Sequence, residues 1–380
     1  MDFEPTAEQR EFGERARRFA HEVIRSRRSH AEEARVPADI IRQLGELQMM
    51  SAAVPAEDGG GGKGHVGYAL ALMEISKACA TLGAAVFVNN SLYCHSLLEF
   101  EKKGQRAKYL RPCALGEGIG SVVLNHPISE PGKVRIRALR SGSGWILNGD
   151  QDLIGNGVLP SHCILPAETG DGSGSGEISL FVLDLRNTSG IRLVPEEGPG
   201  RAETIKLHLE NCPVDEDGLL SEPGQGLKCL INTRPKNWIG LAARSVGVGR
   251  AFLEGALDFA VKPGPSGKAL FSSQAVQWAL TDATVLLDAS ELLTLKAAWL
   301  ADRHKPFEKE AAMAKLYSSD GAMKAALEGV QIMGEEGFER ANPFWELMRH
   351  AKKCQIEQES NLRLRGFITG HLVRALKGSI

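Results

Sequence analysis

No two of the seven cysteines (79, 94, 113, 163, 212, 229 and 354) form a CxxC pair, and their number is odd, so neither a zinc site nor a disulfide framework is written into the chain. Charge of one sign is also missing. With 45 basic and 47 acidic residues the net charge is -2, aromatics make up only 6%, and no basic stripe interleaves with them, which excludes a nucleic-acid surface. Uninterrupted apolar runs of the roughly 18 residues a membrane span requires are absent. The opening MDFEPTAEQREF carries charge from its second residue and lacks an apolar segment, so it does not read as a signal peptide. Reduced thiols in a cytoplasmic protein are the expectation.

What the chain does contain is length and apolar content. At 380 residues and 43% hydrophobic it exceeds one ordinary core and predicts two or three packed units. From Thr6 to about Glu117 the pattern is helical: Thr6 followed by Glu8 and Gln9 marks a helix start, and Phe12, Ala16, Phe19 and Val23 recur at helical spacing. A Pro-Gly break at 54–64 precedes a second apolar helix, and a bend is expected at Asn89-Asn90. Between about Ile119 and Gly226 the period changes to two. "GWILNGD", "ISLFVLDL", "IRLV" and "ETIKLHLEN" predict antiparallel strands, with "DGSGSG" (171–176) an exposed tip. After Gly226 three long helical segments, parted near Pro263 and Pro306, and a fourth from Lys352 to Leu376 predict a four-helix bundle. The expected class is α+β, with an N-terminal helical domain (1–118), a middle β-barrel-like domain (119–226) and a C-terminal four-helix bundle (227–380).

Several stretches imitate chemistry. "GGGGKG" (59–64) and "SGKAL" (266–270) lack the hydroxyl residue that a phosphate loop needs after Lys, and the first reads as a surface loop. "GVGRAF" (247–252) sits in a helical pattern, where its glycines permit close helix packing. His126 and His162 have no partners at metal or triad spacing, so each reads as structural and no metal is expected.

Other stretches carry a resemblance. "VPAEDGGGG" (54–62), "KYLRPCALGEGIGS" (108–121), "WILNGDQDLIGNG" (145–157), "FSSQAVQ", "KEAAMAKLY", "VQIMGEEGF" and "HAKKCQI" occur in the order in which similar segments occur in the acyl-CoA dehydrogenase family, and the likeness spans essentially the whole chain. The resemblance implies a tetramer binding FAD and an acyl-CoA substrate. A carboxylate would remove the α-proton, a hydride would pass to the flavin, and electrons would leave through an electron-transfer flavoprotein.

The same resemblance exposes departures. Gln355-Ile356 sets the register of the family's Tyr-Glu-Gly-Thr turn, placing Glu357 at the Tyr, Gln358 at the catalytic Glu, Glu359 at the Gly and Ser360 at the Thr. Gln358 cannot accept a proton. The alternative seat of the base, before an Arg in the central helix, falls at Thr233, preceding Arg234, a pair that also matches a segment near the pantetheine. Glu357 or Glu359 could take over only through a shift of the loop. Among the implied cofactor contacts, Asn125 is a partial match in "NHPISEPG", Leu153 and Gly155 replace the Trp and Thr that cover the flavin, and Pro263 replaces an Arg for the pyrophosphate. Glu335 replaces a Gly beside Gly334, while Gln274, Gln331 and Asn156 remain. Three functions are compatible: a degenerate subunit paired with an active homologue, an FAD-binding acyl-CoA enzyme with a relocated base or a base-independent reaction such as β-elimination, and an interaction protein on the same fold.

Overall fold

The computed structural model describes residues 4–26, 36–100, 104–123, 134–155, 157–169, 177–195, 204–264, 267–339 and 342–377. In chain order the helices are α1 (Ala7–Phe19), α2 (Ala38–Glu46), α3 (Gly64–Ala78), α4 (Ala80–Phe87), α5 (His95–Phe100), α6 (Arg111–Ala114), α7 (Gly226–Ala260), α8 (Gln274–Asp302), α9 (Glu308–Met333), α10 (Pro343–Ile356) and α11 (Asn361–Lys377). The strands are β1 (Gly120–Val122), β2 (Ile136–Ser141), β3 (Gly144–Ile154), β4 (His162–Thr169), β5 (Ile178–Asp184), β6 (Ile191–Pro195), β7 (Thr204–Val214) and β8 (Leu219–Leu220). Helices thus precede and follow one mixed sheet. The chain forms two compact units, Met1–Arg28 with His65–Gly83 and Trp238–Ile380, and Ser29–Gly64 with Ala84–Asn237.

The first unit is helical. Thr6 opens α1 as its sequence signature predicts: its hydroxyl accepts from the Gln9 amide at 3.2 Å while the Gln9 side chain accepts from the Thr6 amide at 3.0 Å. Asp302, at the end of α8, accepts from the His65 and Val66 amides and so caps α3. The glycines of "GVGRAF" do permit close packing on α7, because a Cβ at Gly247 would stand 2.4 Å from the Met73 carbonyl oxygen and one at Gly249 2.4 Å from Leu287. The expected single segment from Lys352 to Leu376 is corrected: α10 ends at Ile356, α11 starts at Asn361, and a turn separates them. No Gly or Pro announces this break; it is made by tertiary hydrogen bonds described below.

The second unit contains the sheet, in the linear order β6-β7-β3-β2-β4-β5-β8 with β1 paired to β4. The strands read from period-two patterning all form, but the expected antiparallel sheet is mixed, since β1 and β2 both run parallel to β4. Its core holds Trp145, Leu147, Leu153, Phe181 and Leu207, with the Trp145 and Phe181 rings edge to face at 5.6 Å. The bend expected at Asn89-Asn90 does not occur. The chain continues as a widened helical turn over Val88–Cys94, and buried Asn89 donates to the Met50 and Cys113 carbonyls (2.8 and 3.2 Å) and accepts from the Gly120 amide (2.8 Å). "GGGGKG" is not simply a surface loop either: Gly60 and Gly61 are buried, and a Cβ at Gly60 would stand 2.3 Å from the Val54 carbonyl oxygen. Residues 171–176 and His126 lie outside the described residues.

Candidate functional site

Within the helical unit the richest polar constellation surrounds the turn between α10 and α11. Two consecutive residues there take positive φ, Gln358 at 55° and Glu359 at 112°. The second value belongs to glycine, and a side chain there costs about 1–3 kcal/mol. Replacing Glu359 by Gly is expected to raise the unfolding free energy by about 1 kcal/mol, read from the denaturant midpoint.

Two neighbours hold the turn in this state. The Trp238 indole N–H donates to the Gln358 carbonyl at 2.8 Å. The fully buried Lys315 ammonium donates to the carbonyls of Gln355 (3.2 Å) and Glu359 (2.7 Å) and to Asn361 Oδ1 (2.7 Å). Asn361 in turn donates to Ser319 Oγ and Asp320 Oδ1. Burial lowers the Lys315 pKa to about 8 against the pull of Cys354, Glu357, Asp320 and Glu359.

A second network fixes Glu357. Arg244, buried on α7, donates from Nη1 to Glu357 Oε2 at 2.6 Å and from Nη2 to His350 Nδ1 at 2.8 Å. A guanidinium only donates, so His350 Nδ1 accepts and Nε2 carries the proton toward Thr81 Oγ1 at 3.1 Å. Burial, seconded by Arg244, lowers the His350 pKa and keeps the ring neutral. Burial works to raise the Glu357 carboxyl, but the Arg244 guanidinium, with Lys353 behind it, overrides burial and leaves Glu357 below its ordinary value. A carboxylate so held is a poor proton acceptor. Glu359 stands 3.6 Å from Arg363. The Ser360 hydroxyl accepts from the Arg363 amide at 3.4 Å.

The turn therefore unites Glu357, Gln358, Glu359 and Ser360, and the remaining sequence candidates lie elsewhere. Gln331, Gly334 and Glu335 share the exposed end of α9, where Gly334 takes φ 65°. Gln274 begins α8, and an apolar cluster containing Val276 and Ile332 joins that end of α8 to the end of α9. In the sheet unit Leu153 is fully buried in the core and Gly155 is buried. Thr233 is buried on α7 with its hydroxyl donating to the Leu230 carbonyl, and Arg234 is partly buried beside it. Asn125 and Asn156 lie outside the described residues. Among the described residues no cluster of His, Cys, Asp and Glu could hold a metal, and no helix is long and apolar enough to cross a membrane.

Sequence reasoning missed Trp238, Arg244, Lys315, His350 and Asn361. A signal existed for two of them: Arg244 in "GLAARSVGVG" and Lys315 in "AAMAKLYSS" are single charges inside apolar helical pattern, where a charge survives only if paired.

The family model described as the acyl-CoA dehydrogenase N-terminal domain matches residues 6–117, and that of the C-terminal domain matches residues 224–361. The human mitochondrial short-chain specific acyl-CoA dehydrogenase is 34% identical over 346 residues, 90% of this chain and 84% of the relative. A probable acyl-CoA dehydrogenase of Bacillus subtilis is 31% identical over 362 residues, 94% of this chain and 95% of the relative. Among solved structures, butyryl-CoA dehydrogenase from Megasphaera elsdenii superposes with a TM-score of 0.89 at 27% identity, covering 98% of this chain and 100% of its own. A chain solved in work on the electron transferring flavoprotein of Acidaminococcus fermentans and flavin-based electron bifurcation gives 0.90 at 29%, with the same coverage.

Proposed function

The chain belongs to the acyl-CoA dehydrogenase family, and from that premise we propose that it is the catalytically degenerate subunit of a heteromeric, FAD-dependent assembly acting on an acyl-CoA thioester. One observation carries the reading. At the position that the family register assigns to the base we place an amide, Gln358, and the carboxylate before it is committed to Arg244. A displaced base loses orders of magnitude in rate, because proton transfer requires the acceptor within hydrogen-bond reach. The turn keeps the glycine-type backbone at 359 and lacks the proton acceptor.

The residues at the expected cofactor positions fit FAD poorly. Leu153 is packed in the sheet core, so its side chain does not serve as a cover for a flavin ring. Exposed Glu335 puts a carboxylate beside Gly334, and Pro263 supplies no cation for a diphosphate. Each such change costs an anion about 1–3 kcal/mol of charge-assisted hydrogen bonding. A homologous partner subunit supplies the missing contacts and the proton acceptor, and electrons leave through an electron-transfer flavoprotein when the assembly is active.

The visible absorption spectrum tests this. Purified alone, the protein is expected to carry well below one FAD per chain; purified with a homologous subunit that bears the Glu, the complex is yellow. Stoichiometric FAD and full turnover by the lone protein would sink the proposal. A second reading, an FAD enzyme whose reaction needs no α-proton base, draws on the intactness of the turn: Trp238, Lys315 and Arg244 all still hold it, and Gln358 can orient a substrate without deprotonating it.

A further inference from the structure

We infer that Lys315 is the positioning residue of the α10–α11 turn: its three hydrogen bonds impose the left-handed backbone at 358 and 359 and thereby fix the direction in which residue 358 leaves the chain. The inference deepens the proposed function through position 358 alone, and its test needs no flavin, thioester or partner.

Lys315 lies in the middle of α9, fully buried, among Ala311, Ala312 and Ala314 on one side and Ser318 and Ser319 on the other. A buried ammonium is tolerable only when every N–H has an oxygen to meet. Here all three are met, and two of the three oxygens are backbone carbonyls, those of Gln355 in the last turn of α10 and Glu359 beyond it. The Glu359 carbonyl reaches Lys315 while its own residue holds φ at 112°, a conformation a glutamate does not choose locally. Meanwhile Trp238 draws the preceding carbonyl, that of Gln358, to α7. The carbonyls of Gln355 and Glu359 are thus pulled to α9 and that of Gln358 to α7, so the backbone is held on both sides of residue 358, which has a single orientation. The charged groups around the ammonium are Asp320 on its own helix, bridged to Arg365 of α11, Glu357, which Arg244 neutralises, and Glu359; Cys354 contributes a buried thiol held neutral by burial.

The experiment labels the full-length protein with 5-fluorotryptophan, which gives five fluorine signals, and assigns Trp238 through Trp238→Phe. Lys315→Met is expected to shift the Trp238 signal while those of Trp145, Trp278, Trp299 and Trp345 stay in place. Adding Glu359→Gly, which removes the strain that Lys315 holds, is expected to return the Trp238 signal toward its native position. A Trp238 signal indifferent to Lys315→Met, or one that Glu359→Gly fails to return, overturns the inference. Should Lys315→Met not fold, the unsubstituted protein is titrated instead. A neutral amine has two N–H groups for three oxygens, so the Trp238 signal moves with a midpoint of about 8, and a signal that stays still through that range overturns the inference equally.

Discussion

Assayed alone on acyl-CoA thioesters with FAD in excess, the protein is expected to turn over about 10²–10⁴-fold more slowly than its assembly with a carboxylate-bearing homologous subunit, the range that a positioned general base contributes. Each decade corresponds to about 1.4 kcal/mol of barrier, so the upper figure asks about 5.5 kcal/mol of one missing proton acceptor. Gln358→Glu separates the two readings of the site. If the chain is the silent member of a pair, the partner subunit already supplies the proton acceptor, and the exchange leaves turnover of the complex unchanged. If instead the chain binds FAD and merely runs a base-independent reaction, the new carboxylate raises ordinary dehydrogenation by orders of magnitude. The measurement is kcat against KM for the same thioester series, because a lost proton acceptor lowers kcat and leaves ground-state binding in place.

Arg244→Met is expected to lower the unfolding free energy by about 3 kcal/mol or more, because it removes one side of a buried pair and strands the other. Arg244 is fully buried, and its loss removes the hydrogen-bonded counter-charge of Glu357 and the guanidinium that donates to His350 Nδ1. Guanidinium chloride unfolding reads the loss, and a Glu357→Gln exchange on top of it recovers part of the deficit, since a neutral amide is cheaper to strand than a carboxylate. The pH dependence has a definite sign. The folded Glu357 carboxyl is depressed below its ordinary 4.5, so the pair's contribution is whole above that value and fades as pH falls through the lower, folded value. In Arg244→Met that acid-side loss of stability is expected to shrink.

Much of the architecture was legible because it is local. The Thr6 cap, the spacing of Phe12, Ala16 and Phe19, the short apolar run in "ISLFVLDL" and the packing glycines 247 and 249 each declare themselves within a few residues. What escaped was set by distant partners. The break between α10 and α11 carries no Gly or Pro; it exists because Lys315 and Trp238, far away in sequence, seize carbonyls that a continuing helix would use internally. The straight passage through Asn89 escaped for the converse reason, since Asn-Asn reads locally as a turn while its side chain is spent on Met50, Cys113 and Gly120. The direction of β1 and β2 relative to β4 escaped as well, because alternation along a strand says nothing about the sense of its neighbours. In the candidate site, the identity of residue 358 came from the register of the turn, but the capture of Glu357 by Arg244 did not.

That Asn89 side chain also makes a clock. It is a single amide group to which three otherwise separate stretches of backbone are moored, and it is shielded from water on all sides. The amide proton of Gly120, bonded to a buried side-chain oxygen, is consequently expected to trade with solvent far more slowly than the amides of fraying helix ends.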